Sequence, residues 1–376
     1  MRAVDSPVEG RFDIPCSLWC NPPTGISLKK SRGKMNKIAF LFGMSLVFVP
    51  QSRAQEKVPL RLLQTISVPG VTRRWDHFGV DLKDQRLFVA SEEEPVVEVF
   101  DLKTNQHIRA LTDFKEPHNV LVFPEMNKIF VVDGEASEVK ILKYDSYELT
   151  GRIGLTIDAD PVAYDPATGY LYVVNGGREA HTPYCLISIV DIKSGKKLAD
   201  MKLDTNRLES MAIETSGSRL FVNMTGANEV GVVDRNKRAV VASWPITVGE
   251  QNVPMQYDEA RHRLFVVTRK PSKLVVVNTD TGKEVTSLPV AEYADDLAYD
   301  AAHHRLYVAC GGLQGAPGAI SVVEQRDADN YQVIATIPTR PGAKTARLVP
   351  ELNRYYVGVP GTAKDAPQIL VFEVVP

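Results

Sequence analysis

Acidic and imidazole side chains recur at almost even intervals along this chain. Asp76, His118, Asp160 and Glu209 are 42, 42 and 49 residues apart (118 − 76, 160 − 118, 209 − 160), and the series runs on through Val253 and Asp295 to Lys344. The residues that follow these are His77, Asn119, Pro161, Ser210, Pro254, Asp296 and Thr345. Carboxylates and imidazoles are the donors a divalent ion takes, at about 2.0–2.6 Å. The same groups cap strand ends and bond backbone amides where no ion is involved. A second set, Arg73, Arg74, Arg340, Lys344 and Arg347, is basic. Arginine pairs through a planar fork with carboxylate or phosphate, so this set would suit an anionic group.

Such spacing needs a repeating scaffold. Ten residues after each member of the first series a five-residue phrase begins: Arg86-Leu-Phe-Val-Ala90, Lys128-Ile-Phe-Val-Val132, Tyr170-Leu-Tyr-Val-Val174, Arg219-Leu-Phe-Val-Asn223, Arg263-Leu-Phe-Val-Val267, Arg305-Leu-Tyr-Val-Ala309 and Arg354-Tyr-Tyr-Val-Gly358. A period near forty with short apolar runs marks the blade of a β-propeller. Each copy holds four runs of strand character separated by turn residues. The expected fold is all-β, a seven-bladed β-propeller of four-stranded antiparallel blades. The last repeat stops after its third run, Ile369–Val374, and Leu62–Val68 matches the fourth run of the sixth repeat, Val333–Thr336 and beyond. The N-terminal strand is therefore expected to pair into the last blade and close the ring. Packed sheets stand ~10 Å apart, so side chains from two or three neighbouring blades could meet, but hardly all of Asp76, His77, His118, Asp160 and Glu209.

The links between strands are uneven. First-to-second links such as 124–127 and 165–169 are tight, while second-to-third links such as 175–184, 223–229, 310–318 and 359–367 are long and varied. The long links share a face with the blade-to-blade connections, and variable loops on a rigid scaffold are where binding is placed. The run Glu92–Glu94 reads as a solvated loop tip on that face.

The phrases resemble those of the YVTN-type β-propeller family, whose Tyr-Val-Thr-Asn run Leu171-Tyr-Val-Val-Asn175 approximates. The resemblance covers residues 60–376 and implies a propeller of secreted or periplasmic type without implying an activity. Trp75-Asp76 opens a first strand, whereas the Trp-Asp pair of WD-repeat proteins ends a third.

Ahead of the repeats, Met35-Asn-Lys, an apolar run Ile38–Val49 and a small-residue exit at Ala54 describe a signal peptide. Twelve apolar residues are too few for a membrane span, which needs about 20. The expected organisation is a non-native or disordered extension over 1–34, a signal peptide over 35–54 and one propeller domain over 55–376, in a periplasmic or secreted protein. Residues 1–54 hold eight Lys or Arg and three Asp or Glu, leaving 44 − 8 = 36 basic and 46 − 3 = 43 acidic residues, a net of −7. That balance argues against nucleic acid as partner. Cys185 and Cys310 fall in blades three and six, too far apart for the ~7 Å a disulfide allows between Cα atoms.

No Cys-x-x-Cys-His, Gly-x-Ser-x-Gly, phosphate loop or His-Glu-x-x-His is present, and no residue is assigned as catalytic. The expected function is a monomeric, non-catalytic binding propeller. It would take a protein, a peptide or a small anionic molecule through Asp76, His77, His118, Asn119, Asp160, Glu209, Asp295, Asp296, Lys344 and Arg347. The alternative is a metal-dependent, lactonase-like hydrolase with Asp76, His118, Asp160 and Glu209 holding a divalent ion. It would resemble the six-bladed gluconolactonase-like propellers in chemistry only. A third reading is a propeller subunit of a redox complex whose cofactor sits on a partner.

Overall fold

Each phrase is apolar at consecutive positions rather than alternate ones, which suits a strand covered on both faces. Leu87, Phe88, Val89 and Ala90 are fully buried, and the corresponding residues of the other six phrases are buried as well. The structure is a computed structural model and describes residues 58–68 and 74–376. The extension over 1–34, the signal segment over 35–54 and Arg73 lie outside the described residues.

Seven four-stranded antiparallel sheets form the blades of a propeller, as expected. Blade one comprises Trp75–Asp81, Arg86–Ser91, Val96–Asp101 and His107–Leu111. The third residue of each phrase packs one blade on the next. Phe88 lies with Val120, Ile129 and Val131 of blade two, and Phe130 lies with Leu171 and Val173 of blade three. The pattern continues to Tyr307, which meets Tyr355 and Val357 of blade seven. Tyr356 of blade seven then lies with Trp75, Leu87 and Val89 of blade one. Each such ring contributes about 1.5–3 kcal/mol by leaving water, so the interfaces rather than isolated blades carry the stability.

Blade seven draws on both ends of the described chain. Thr345–Val349, Arg354–Val359 and Gln368–Val374 are joined by Leu60–Ser67, which pairs antiparallel with the third strand from Leu60↔Val374 to Ser67↔Gln368. Leu60, Ile66 and Val68 are buried at this seam. All seven outermost strands carry a one-residue bulge, at Leu63, Ile108, Thr150, Leu198, Val241, Val285 and Ile334. The N-terminal strand thus has the geometry of the other six. Bulges twist an exposed edge away from pairing with another chain.

The innermost strands bulge too, at the ends that face the long loops. In blade one the register passes from Trp75↔Ser91 to Phe78↔Val89, three residues against two. Blades two, five and six show the same extra residue around His118, Val253 and Asp295. In blades three and four the innermost strand begins only at Val162 and Met211, so Asp160 and Glu209 stand just ahead of it, and Lys344 immediately precedes Thr345. These irregularities fall where the acidic and imidazole series lies. Among the described residues no helix is long and apolar enough to cross a membrane, and Cys185 and Cys310 are buried free thiols.

Candidate functional site

A cavity of about 580 Å³ opens at the centre of the long-loop face. Asp76, His77, Asp160, Glu209, Asp295 and Lys344 line it, together with loop residues that include Arg178, Arg207, Arg269 and Tyr293. His118, Asn119 and Asp296 stand behind this wall and hold what lines it, while Arg347 is exposed outside it.

Asp76 is buried, and its Oδ2 lies 2.5 Å from Nδ1 of the buried His118 in the next blade. Its other oxygen, Oδ1, lies 3.7 Å from Nε2 of His77. That same Nε2 lies 3.9 Å from Asp160 Oδ1, and His77 Nδ1 lies 3.3 Å from Asp296 Oδ1. Asn119 Nδ2 donates to the main-chain oxygen and Oδ1 of Asp160, at 2.9 and 3.2 Å. His118 is turned towards the protein, with Nε2 3.7 Å from Glu116. A Cβ at Gly134 would come within 2.7 Å of that nitrogen, so glycine is what lets the imidazole fit.

Among the described residues two donor triplets converge within 4.8 Å, Asp76–His77–Asp160 and Asp76–Glu92–His118. Of the expected metal set, Asp76, His118 and Asp160 are neighbours. Glu209 stands in neither triplet, because Arg207 holds it at 2.7 Å through Nε and 2.6 Å through Nη2.

The basic set does not form an open sector. Lys344 and Arg269 both pair with Asp295. Arg74 pairs with Glu92, which corrects the reading of that glutamate as part of a solvated tip. Arg340 is occupied by the carbonyls of Pro360 and Ala366, at 3.1 and 2.9 Å. Arg347 is exposed and influenced by Asp296 and Glu351.

The electrostatics follow from burial and crowding. Burial opposes ionisation of Asp76, but His77 and the hydrogen-bonded His118 outweigh it and hold the carboxyl well below the usual carboxylate range. Burial also works against both imidazolium ions. Asp76 and Asp296 nevertheless raise His77 well above its ordinary value, and Asp160 and Asp76 do the same for His118. Asp160 moves the other way: burial, reinforced by Asp76 and Glu209, pushes it up to about 7 despite the nearby imidazoles. Burial together with Asp295 raises Glu209 in spite of Arg207. Burial by the surrounding protein lowers Arg347, against the pull of Asp296 and Glu351. Such a cluster can hold a cation or exchange protons, since Asp76, Asp160 and Asp296 crowd round two imidazoles.

The periodic series misses the counter-charges. Arg207 sits two residues ahead of Glu209, a spacing visible in the chain but unremarkable there. Arg269 belongs to blade five, where the acidic series is interrupted by Val253. Its guanidinium stacks 4.3 Å above Tyr293 and donates at 2.8 Å to the Ala294 carbonyl. Among the described residues no carboxylate forms an ion pair with Arg178, an exposed arginine on the long loop of blade three.

No family model matches the chain. It is 27% identical over 184 residues to "Uncharacterized protein YncE" of Salmonella typhi, covering 48% of this chain and 47% of that protein. The protein of the same description from Salmonella typhimurium strain LT2 is 26% identical over 184 residues, with the same shares. The chain thus spans about half the length of the curated relatives it matches. Among solved structures it is similar to a chain of Kuenenia stuttgartiensis hydrazine synthase, with TM-score 0.66 and 15% identity over 77% of this chain and 94% of that chain. That likeness is one of fold, and the fold on which all these observations agree is the β-propeller.

Proposed function

We propose that this chain is an exported binding module, a propeller of the YVTN-repeat kind, whose channel mouth takes a small ligand bearing a carboxylate or phosphate. The observation that carries the reading is the cavity of about 580 Å³ on the long-loop face, with Arg178 on its wall and Tyr293 stacked on Arg269 beside it. A guanidinium that no carboxylate of the described residues holds in an ion pair, with Asp158 only influenced by its charge, suits an anion. An aromatic side chain at the rim suits the apolar body of a ligand. Ligand sites of this size combine a shaped cavity with a few placed polar groups.

The test is calorimetric titration of the full chain with small carboxylates, phosphates and amines in the presence of chelator. The reading expects anions to bind and Arg178→Gln to weaken them at least tenfold. Amines binding in their place, or anion binding indifferent to Arg178→Gln, would overturn it. N-terminal sequencing of the exported protein checks the compartment, with a start near Gln55 expected. A metal-dependent hydrolase is the second reading, favoured by the approach of His77 to two carboxylates. It requires turnover of a lactone or ester that chelator abolishes.

A further inference from the structure

We propose that Asp76, His77 and Asp160 form a site for one first-row divalent metal ion, oriented from behind by His118, Asp296 and Asn119. The inference does not rest on the anion-binding reading, because the ion needs only these residues.

Three observations carry it. The first is backbone geometry. Successive side chains in a strand point to opposite faces, yet Asp76 and His77 both line the cavity, because the blade-one bulge adds a residue between Trp75 and Phe78. The second is spacing. Donors held about 2.1 Å from one ion stand ~3.0–3.4 Å apart when adjacent in its shell. His77 Nε2 is 3.7 Å from Asp76 Oδ1 and 3.9 Å from Asp160 Oδ1, so small side-chain shifts close the shell.

The third is the outer ring. A metal-binding imidazole gives its other nitrogen to a carboxylate, and ligating carboxylates are themselves hydrogen-bonded. Here His77 turns Nδ1 to Asp296 and keeps Nε2 for the centre. Asp76 gives Oδ2 to His118 and keeps Oδ1 for the centre. Asp160 is positioned by Asn119. These orienting groups come from blades two and six, so the assembled ring is what presets the three donors. One imidazole with two carboxylates suits Mn²⁺ or Zn²⁺ better than Ca²⁺, which takes six to eight oxygens. Three protein donors leave positions open towards the cavity.

The experiment strips the full chain with chelator and titrates it with MnCl₂ and, separately, ZnCl₂ at pH 7.5, reading stoichiometry by calorimetry and Mn²⁺ by electron paramagnetic resonance. One ion per chain is expected. His77→Gln should weaken it at least 100-fold, and Asp296→Asn, which spares all three donors, about 10-fold or more. Glu259→Gln, at the end of the blades away from the cavity, should change it less than twofold. Absence of stoichiometric uptake of either metal, uptake indifferent to His77→Gln, or equal dependence on Glu259 would overturn the site. Should His77→Gln fail to fold, Asp160→Asn replaces it with the same expected loss. Because no organic ligand is present, the outcome is independent of whether anions bind.

Discussion

The innermost strands carry carboxylates at both ends, and the two ends treat them differently. Away from the long loops, Asp81, Asp165, Glu214 and Asp258 close the strands of blades one, three, four and five. Each meets its own arginine. Arg86 Nη2 reaches Asp81 at 2.8 Å, Arg235 pairs with Asp165, Arg219 Nε reaches Glu214 at 2.9 Å and Arg261 reaches Asp258 at 3.4 Å. The turn amides bind the same groups, as Lys83 and Asp84 do for Asp81. At the channel mouth, by contrast, Asp76, Asp160 and Asp296 share two imidazoles, and Asp160 is driven up to about 7. The residue types are alike at the two ends. What separates a structural carboxylate from one available for binding is whether an arginine, from its own blade or the next, supplies the counter-charge.

The sharpest test removes a matched carboxylate. Asp165→Ala leaves the Arg235 guanidinium, whose side chain is only 9% exposed, without its carboxylate and with main-chain carbonyls as partners, and breaking a buried pair on one side costs about 3–5 kcal/mol. Urea unfolding should register that loss while Mn²⁺ uptake stays intact. A cost below about 1 kcal/mol would erase the distinction between the ends. The mirror change at the mouth, Asp160→Asn, relieves crowding with Asp76 and Glu209. It should shift stability by less than about 1 kcal/mol, or raise it, while metal uptake is lost.

The smallest expected effect concerns Glu259, an acid on the matched side that ties blade five to blade four. Burial opposes its ionisation, but hydrogen bonds from Ser216 and Thr215 outweigh this and hold it at about 2. A lowered carboxylate stabilises the fold above its unfolded value and loses that contribution as pH falls through the folded value. Thermal unfolding should therefore show Glu259→Gln below the wild type at pH 6, with the gap narrowing towards pH 2. A gap that widens with acid would contradict the assignment.

The scaffold was legible because its signal is repeated and local. Leu87, Phe88 and Val89 are buried for the same reason as Leu264, Phe265 and Val266, and seven instances reinforce one another. Leu60–Ser67 was legible as a fourth strand because it matches the other outer strands and the last blade lacked one. The mouth was legible in position but not in partnership. His118 reads as a ligand by periodicity, yet the bulges around it and at Asp76 put it behind the wall and bring His77 forward. Arg207, Arg269 and Gly134 carry no periodic mark. Their roles depend on loop course and on a missing Cβ, which the repeat does not encode.

The seam in blade seven has a kinetic consequence. Arg61 and Glu373 touch across 312 residues, whereas every other blade is built from consecutive hairpins. Bringing such distant segments together costs roughly 5 kcal/mol of chain entropy by logarithmic scaling. The clasp is therefore expected to set last in assembly, after the hairpin-built wedges. Until then the nascent wheel stays ajar at one spoke, and a loose peptide copying Leu60–Val68 could occupy the gap and delay its closing.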